Sequence, residues 1–274
     1  MPQTHTMRER LPAQSVMEVL LLEQDLVQPR SLLGRVVGRS PLGAQSEPWF
    51  VGAQGELAVA RMLAELPRQW TVFHALPRTV RDRGVDHLLV GPAGIFAVTT
   101  RTFVGQKVVV SHRTMTVGNT KHADIRDAES DALRLTRVLR DHMALRASVR
   151  PVVACVRAKS ITIHERPAQV KVLTAAELRR WLLSLPPVLG PDERQTLVAI
   201  IDDPDTWDAL PSIEPDVLRE RYQLLTDEVG HARRRRRGLG AIGSMLAVAG
   251  VMLPFIPTWP LGPSAVEILR AALP

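Results

Sequence analysis

A chain of 274 residues that is 45% hydrophobic and 23% charged is globular in composition and long enough for one large domain or two smaller ones. Aromatic residues make up only 4%, so aliphatic side chains and alanine must fill the interior, and no platform for stacking single-stranded bases is evident. The net charge of +7 is local: Arg233, Arg234, Arg235, Arg236 and Arg237 supply five charges and leave +2, which excludes a chain that is basic throughout.

In chain order, Val16, Val19, Leu20, Leu22 and Leu26 share roughly one face and predict a short helix over residues 13–28. Glu18, Glu23 and Asp25 interrupt or flank its apolar stretch, which argues against an export signal there. The Gly-, Ser- and Pro-rich residues 34–48 predict a linker, so residues 1–49 are expected to precede a domain at 50–210. A helix is predicted over 50–66, with Val59, Leu63 and Leu66 on its buried side and Pro67 ending it.

Short β-rich runs follow at 71–76, 85–90, 95–100, 107–110 and 114–117. Gly91-Pro-Ala-Gly94 is a tight-turn signal and joins the second and third runs as a hairpin. Residues 123–145 repeat apolar side chains at helical spacing, and the apolar runs 151–156 and 169–173 read as buried strands before a helix at 175–185 with Thr174 as N-cap. This order predicts an α/β fold: a β-sheet of mixed direction flanked by helices. Cys155 lies in an apolar run, so it packs as a small hydrophobe, and a lone cysteine suits a reducing compartment.

A connecting helix occupies 211–232, and residues 233–274 begin with the arginine run. Gly238 to Trp259 holds no charged residue, a length that suffices to cross a bilayer with the arginines kept inside. A C-terminal membrane segment, spanning or re-entrant, is therefore expected, placing the protein on the cytoplasmic face of the cell membrane. The alternative is a C-terminal helix docked on a cytoplasmic protein. The five arginines are the expected contacts to lipid or to nucleic acid. Residues 253–260, Leu253-Pro-Phe-Ile-Pro-Thr-Trp-Pro260, resemble a turn of some small bacterial membrane proteins.

A metal-dependent phosphodiesterase needs carboxylates to hold Mg²⁺ and a neighbouring group to position water. The arrangement that stands out is Glu56 on the first long helix, Asp86 on one hairpin strand and positions 99–101 on the next, across the tight turn. Glu56 alone reads more often as an exposed helix residue, and His87 as a structural hydrogen-bonder. No histidine or cysteine pair has zinc spacing, and no glycine-rich phosphate loop occurs.

Gly52-Ala-Gln-Gly-Glu56 and Val85-Asp-His-Leu-Leu-Val-Gly-Pro-Ala-Gly-Ile-Phe-Ala-Val-Thr-Thr-Arg101 resemble the NERD domain, the nuclease-related family of the PD-(D/E)xK superfamily, over about residues 51–207. The resemblance implies a restriction-endonuclease-like core, Glu56 and Asp86 as metal carboxylates, and an acidic residue and a lysine where this chain has Thr99 and Arg101. Thr99 is a poor substitute for a carboxylate, and Arg101 stays protonated near neutral pH, although it can grip a phosphate. The expected function is a catalytically degenerate, membrane-attached module that binds nucleic acid or a protein partner. The alternative is an active Mg²⁺-dependent DNA nuclease whose site is rebuilt with Asp124 or Glu129.

Overall fold

The computed structural model describes residues 6–77, 84–145, 147–207 and 213–252. It divides into two compact units, one of residues 1–28 and 42–225 and the other of residues 29–41 and 226–274.

The first unit opens with a 3₁₀ turn at Met7–Glu9 and helix α1 (Gln14–Asp25). Helix α3 (Ser46–Leu63) starts a turn before the expected position, because Ser46 accepts from Gly43 N–H (2.9 Å) and so holds the chain at the helix entry. The large sheet contains β1 (Thr71–Leu76), β2 (Val85–Gly91), β3 (Gly94–Thr102), β7 (Arg150–Val156) and β9 (Lys171–Thr174) in the order β1-β2-β3-β7-β9. Strand β2 pairs antiparallel with β1 and with β3, and β3, β7 and β9 are parallel, so the sheet is mixed as the sequence predicts. The Gly91↔Gly94 pair closes the hairpin around Pro92 and Ala93. Trp70 lies flat against Gly91, where an added Cβ would stand 2.2 Å from the ring.

Alternation along these strands sends side chains to two apolar layers. Phe73, Leu88, Ile95 and Ala97 pack with Ala132, Leu135 and Leu139 of helix α4 (Asp124–His142) and with Leu197 and Ile201 of helix α6 (Pro191–Asp202). Leu89, Phe96, Val98 and Val152 pack on the other side with Val59 and Leu63 of α3 and Leu178 and Leu182 of helix α5 (Ala175–Ser184). Each fully buried leucine contributes about 1.5–3 kcal/mol relative to exposure. Burial on both sides explains why β2 and β3 read as near-continuous apolar runs.

A second mixed sheet, ordered β6-β5-β4-β8, holds β4 (Lys107–Ser111), β5 (Thr114–Val117), β6 (Thr120–His122) and β8 (Ser160–Ile163). Its Val108, Val110 and Met115 bury against Ile125 and Ala128 of α4 and against Val153 and Cys155 of β7. Cys155 is free and packed as expected, and burial pushes its thiol up to about 12, with Asp124 adding to the shift and Arg101 opposing it. Strands β6 and β8 and helix α6 are additional to the elements expected from the sequence.

The second unit contains the short helix α2 (Leu32–Val36), which overlaps the start of the stretch expected to be a linker, and the later part of helix α7 (Pro215–Met252). Helix α7 runs without a break through Arg233–Arg237, not ending at residue 232 as expected. This changes the expectation of a membrane segment. Among the described residues no helix is long and apolar enough to cross a membrane. The uncharged part of α7, from Gly238 to Met252, rises about 22 Å at 1.5 Å per residue, against a hydrocarbon thickness of about 30 Å. The rest of the expected segment, including the turn-like motif at 253–260, lies outside the described residues.

Candidate functional site

Gly55 determines where Glu56 sits. An added Cβ at Gly55 would stand 2.0 Å from Thr102 Oγ1 and 3.5 Å from Thr100 Cγ2, so only glycine lets α3 pack this closely on β3. The Gly-Glu pair is thus a packing device followed by a carboxylate, and Glu56 is only 5% exposed. Burial pushes its carboxyl well above the usual range, and Asp86 raises it further while Arg101 opposes the shift.

Asp86 lies one residue before the His87↔Val98 pair of the hairpin, which brings it level with Thr99. Its Oδ2 accepts the Thr100 N–H at 2.6 Å. Burial raises this carboxyl, with Arg101 and the Thr100 hydrogen bond acting in the opposite direction. Arg101 Nε donates to Asp124 Oδ1 at 2.5 Å, and its Nη1 donates to the Thr100 carbonyl at 2.9 Å. Burial alone would lower the guanidinium, but Asp86, Asp124 and Glu56 together hold it above its ordinary value.

A cleft of about 410 Å³ opens over this cluster, lined by Glu56, Asp86, Thr99 and Arg101. The four motif positions expected from the sequence therefore share one cavity. Trp49 and Val16 form part of its apolar wall, and Asp127 and Asp131 of α4 add two carboxylates that the sequence reading did not select. Their spacing was a usable signal: Asp124, Asp127 and Asp131 stand at i, i+3 and i+7, along one helix face. Of the two α4 residues considered for a rebuilt site, Asp124 reaches the cluster. Glu129 instead pairs with Arg113 at 3.0 Å. Arg233–Arg237 belong to the second unit and are not among the lining residues.

His87 points to the opposite side of the sheet from Asp86. Its Nδ1 lies 2.9 Å from His74 Nδ1, and its Nε2 is buried without a hydrogen-bond partner among the described residues. Burial lowers both imidazoles, His74 to about 4, and His74 lowers His87 further, so the pair is neutral near pH 7. This is the structural hydrogen bond expected of His87.

Two glycine-anchored motifs thus deliver an acidic cluster with one arginine at the end of a hairpin. Residues 51–156 match the nuclease-related domain, NERD. The match begins in α3 and ends at the last residue of β7, so it contains all four motif positions. No curated protein and no solved structure matches the chain.

The NERD resemblance implies a divalent cation, and the residues here do not fit one. Among the described residues no group of three or more histidine, cysteine, aspartate or glutamate side chains is arranged to hold a metal. Asp86 Oδ2 is already engaged by the Thr100 backbone N–H, and Glu56 is buried beside it. Arg101, beside both, supplies the positive charge that a metal would otherwise bring.

Proposed function

We propose that the NERD region is a nuclease-related domain that no longer cleaves DNA and works as a binding module. The observation that carries this reading is the Arg101–Asp124 ion pair at 2.5 Å, which fixes a permanent cation where the family has a lysine and ties it to a carboxylate outside the motif. An arginine so held does not accept a proton from water, and its charge beside Glu56 and Asp86 opposes a second cation there.

The cleft favours a neutral or cationic hydrogen-bonding group over a phosphate, since Glu56, Asp86, Asp127 and Asp131 line it against a single lining arginine. A protein segment bearing lysine or arginine suits it better than the nucleic-acid backbone. Incubating the purified full chain with supercoiled plasmid and Mg²⁺ or Mn²⁺ tests the loss of cleavage. The expected result is intact plasmid; nicking that disappears in Asp86→Ala overturns the reading and favours a nuclease rebuilt with Asp124. Calorimetric titration with a short DNA duplex tests the choice of ligand, with no heat of binding expected at the cleft.

A further inference from the structure

Two segments far apart in sequence build the second unit, residues 29–41 and the described part of 226–252. Gly38 joins them. Its φ is +73°, and an added Cβ would stand 2.6 Å from both Ala232 O and Arg236 N, so the turn after α2 is pressed on the backbone of α7. Arg30 ties the junction by pairing with Glu228 and donating to the Arg39 carbonyl at 2.6 Å. Arg235 Nη1 donates to the Arg35 carbonyl at 3.0 Å.

This anchoring leaves the side chains of α2 in water. Leu32, Leu33 and Val36 are 82%, 72% and 64% exposed, and Val37 and Leu239 are also exposed. Three outward aliphatic residues on a five-residue helix are unusual for a protein that keeps this surface in solvent. Around them the described residues of the unit carry eight arginines, among them Arg35, Arg39 and Arg233–Arg237, against two acids, Asp227 and Glu228. Six of the chain's seven net positive charges reside here.

We propose that this unit docks on the surface of an anionic lipid bilayer, the α2 aliphatic side chains entering the headgroup boundary and the arginines facing lipid phosphates and carboxylates. Exposed leucines beside clustered arginines are the chemistry of a segment that lies on a membrane. A nucleic-acid surface would use the arginines but gain nothing from Leu32 and Leu33, and the described residues of the unit hold no phenylalanine, tyrosine or tryptophan for stacking. The interaction requires no membrane-crossing helix and does not depend on the state of the cleft.

Sedimentation of the full chain with phosphatidylcholine vesicles, with and without phosphatidylserine, tests the proposal. Binding is expected only to the anionic vesicles and is expected to weaken with salt. Arg236→Gln with Arg237→Gln should lower the partition coefficient roughly 30-fold, at about 1 kcal/mol per arginine. Leu32→Ser with Leu33→Ser should lower it about tenfold or more, and because both side chains are exposed the fold is retained, as circular dichroism will verify. Equal binding to neutral vesicles, unchanged binding of the leucine variant, or binding to duplex DNA with none to vesicles would each overturn the proposal.

Discussion

Arg101 Nε lies 2.5 Å from Asp124 Oδ1, joining the last third of strand β3 to the first turn of helix α4 across an interval of 23 residues. Asp124 Oδ2 is buried with no hydrogen-bond partner among the described residues, so this carboxylate depends on the guanidinium for most of its compensation. Removing one member of such a pair leaves the other charged and desolvated. Arg101→Met is expected to destabilise the protein by about 3–5 kcal/mol, measured by urea denaturation. Asp124→Asn with Arg101→Met should recover a large part of this loss, and strict additivity of the two substitutions would show that the pair is not coupled.

The contact between Gly55 and Thr102 makes a second expectation. Gly55→Ala should cost about 1–3 kcal/mol, because its new methyl group overlaps Thr102 Oγ1 and α3 must move off β3. Thr102→Ala removes that oxygen, so the double variant should unfold at a higher temperature than Gly55→Ala alone. A double variant no better than the single one would mean that the helix is held away by something other than this hydroxyl.

Glu56 should give the opposite result from an ordinary ion-pair carboxylate. Its folded pKa lies above the unfolded value, so whatever stability protonation provides is present below about pH 4.5 and is lost as pH rises towards the folded pKa. Glu56→Gln keeps the shape without the charge. It should be more stable than wild type at pH 7 and flatten this part of the pH profile, as read from melting temperatures across a buffer series.

His74 works in the other direction. Its imidazole is held to about 4 in the folded protein against about 6.5 when unfolded, so the neutral form is favoured by folding. The associated stability is complete above about pH 6.5 and is lost as pH falls towards 4, amounting to about 3 kcal/mol over the whole window. His74→Phe should reduce the acid sensitivity between pH 6.5 and 4, and an unchanged acid limb would place its cause elsewhere.

Much of the large sheet was legible because its signals are local. The Gly91-Pro-Ala-Gly94 turn fixes the register of β2 on β3, and that register alone puts Asp86 level with Thr99. The motif glycine before Glu56 was visible too, although its reason, the approach of Thr102, is a contact across 47 residues that no local pattern encodes. Strand β8 escaped because Ser160–Ile163 is short and largely exposed, so its Ser-Ile-Thr-Ile alternation spans too few residues to stand out. Helix α6 carries a proline at its start and the Leu197/Ile201 spacing of a buried face, a signal that was present and unused. The arginine run was read as a stop before a membrane segment. In the structure it lies inside one helix, to which arginine's high helix propensity contributes.

The parallel pairing of β7 with β9 bears on how the protein can be dissected. The NERD match stops at residue 156, yet β7 exchanges hydrogen bonds on both edges, with β3 on one side and, through Val152↔Lys171 to Cys155↔Thr174, with β9 on the other. Helix α5, which covers Phe96 with Trp181, also lies past that limit. A fragment cut to the region of sequence kinship would turn a central strand into an open, apolar edge and would seek a replacement strand from a neighbouring molecule. The stretch that matches the nuclease-related domain is smaller than the stretch that can close its own sheet.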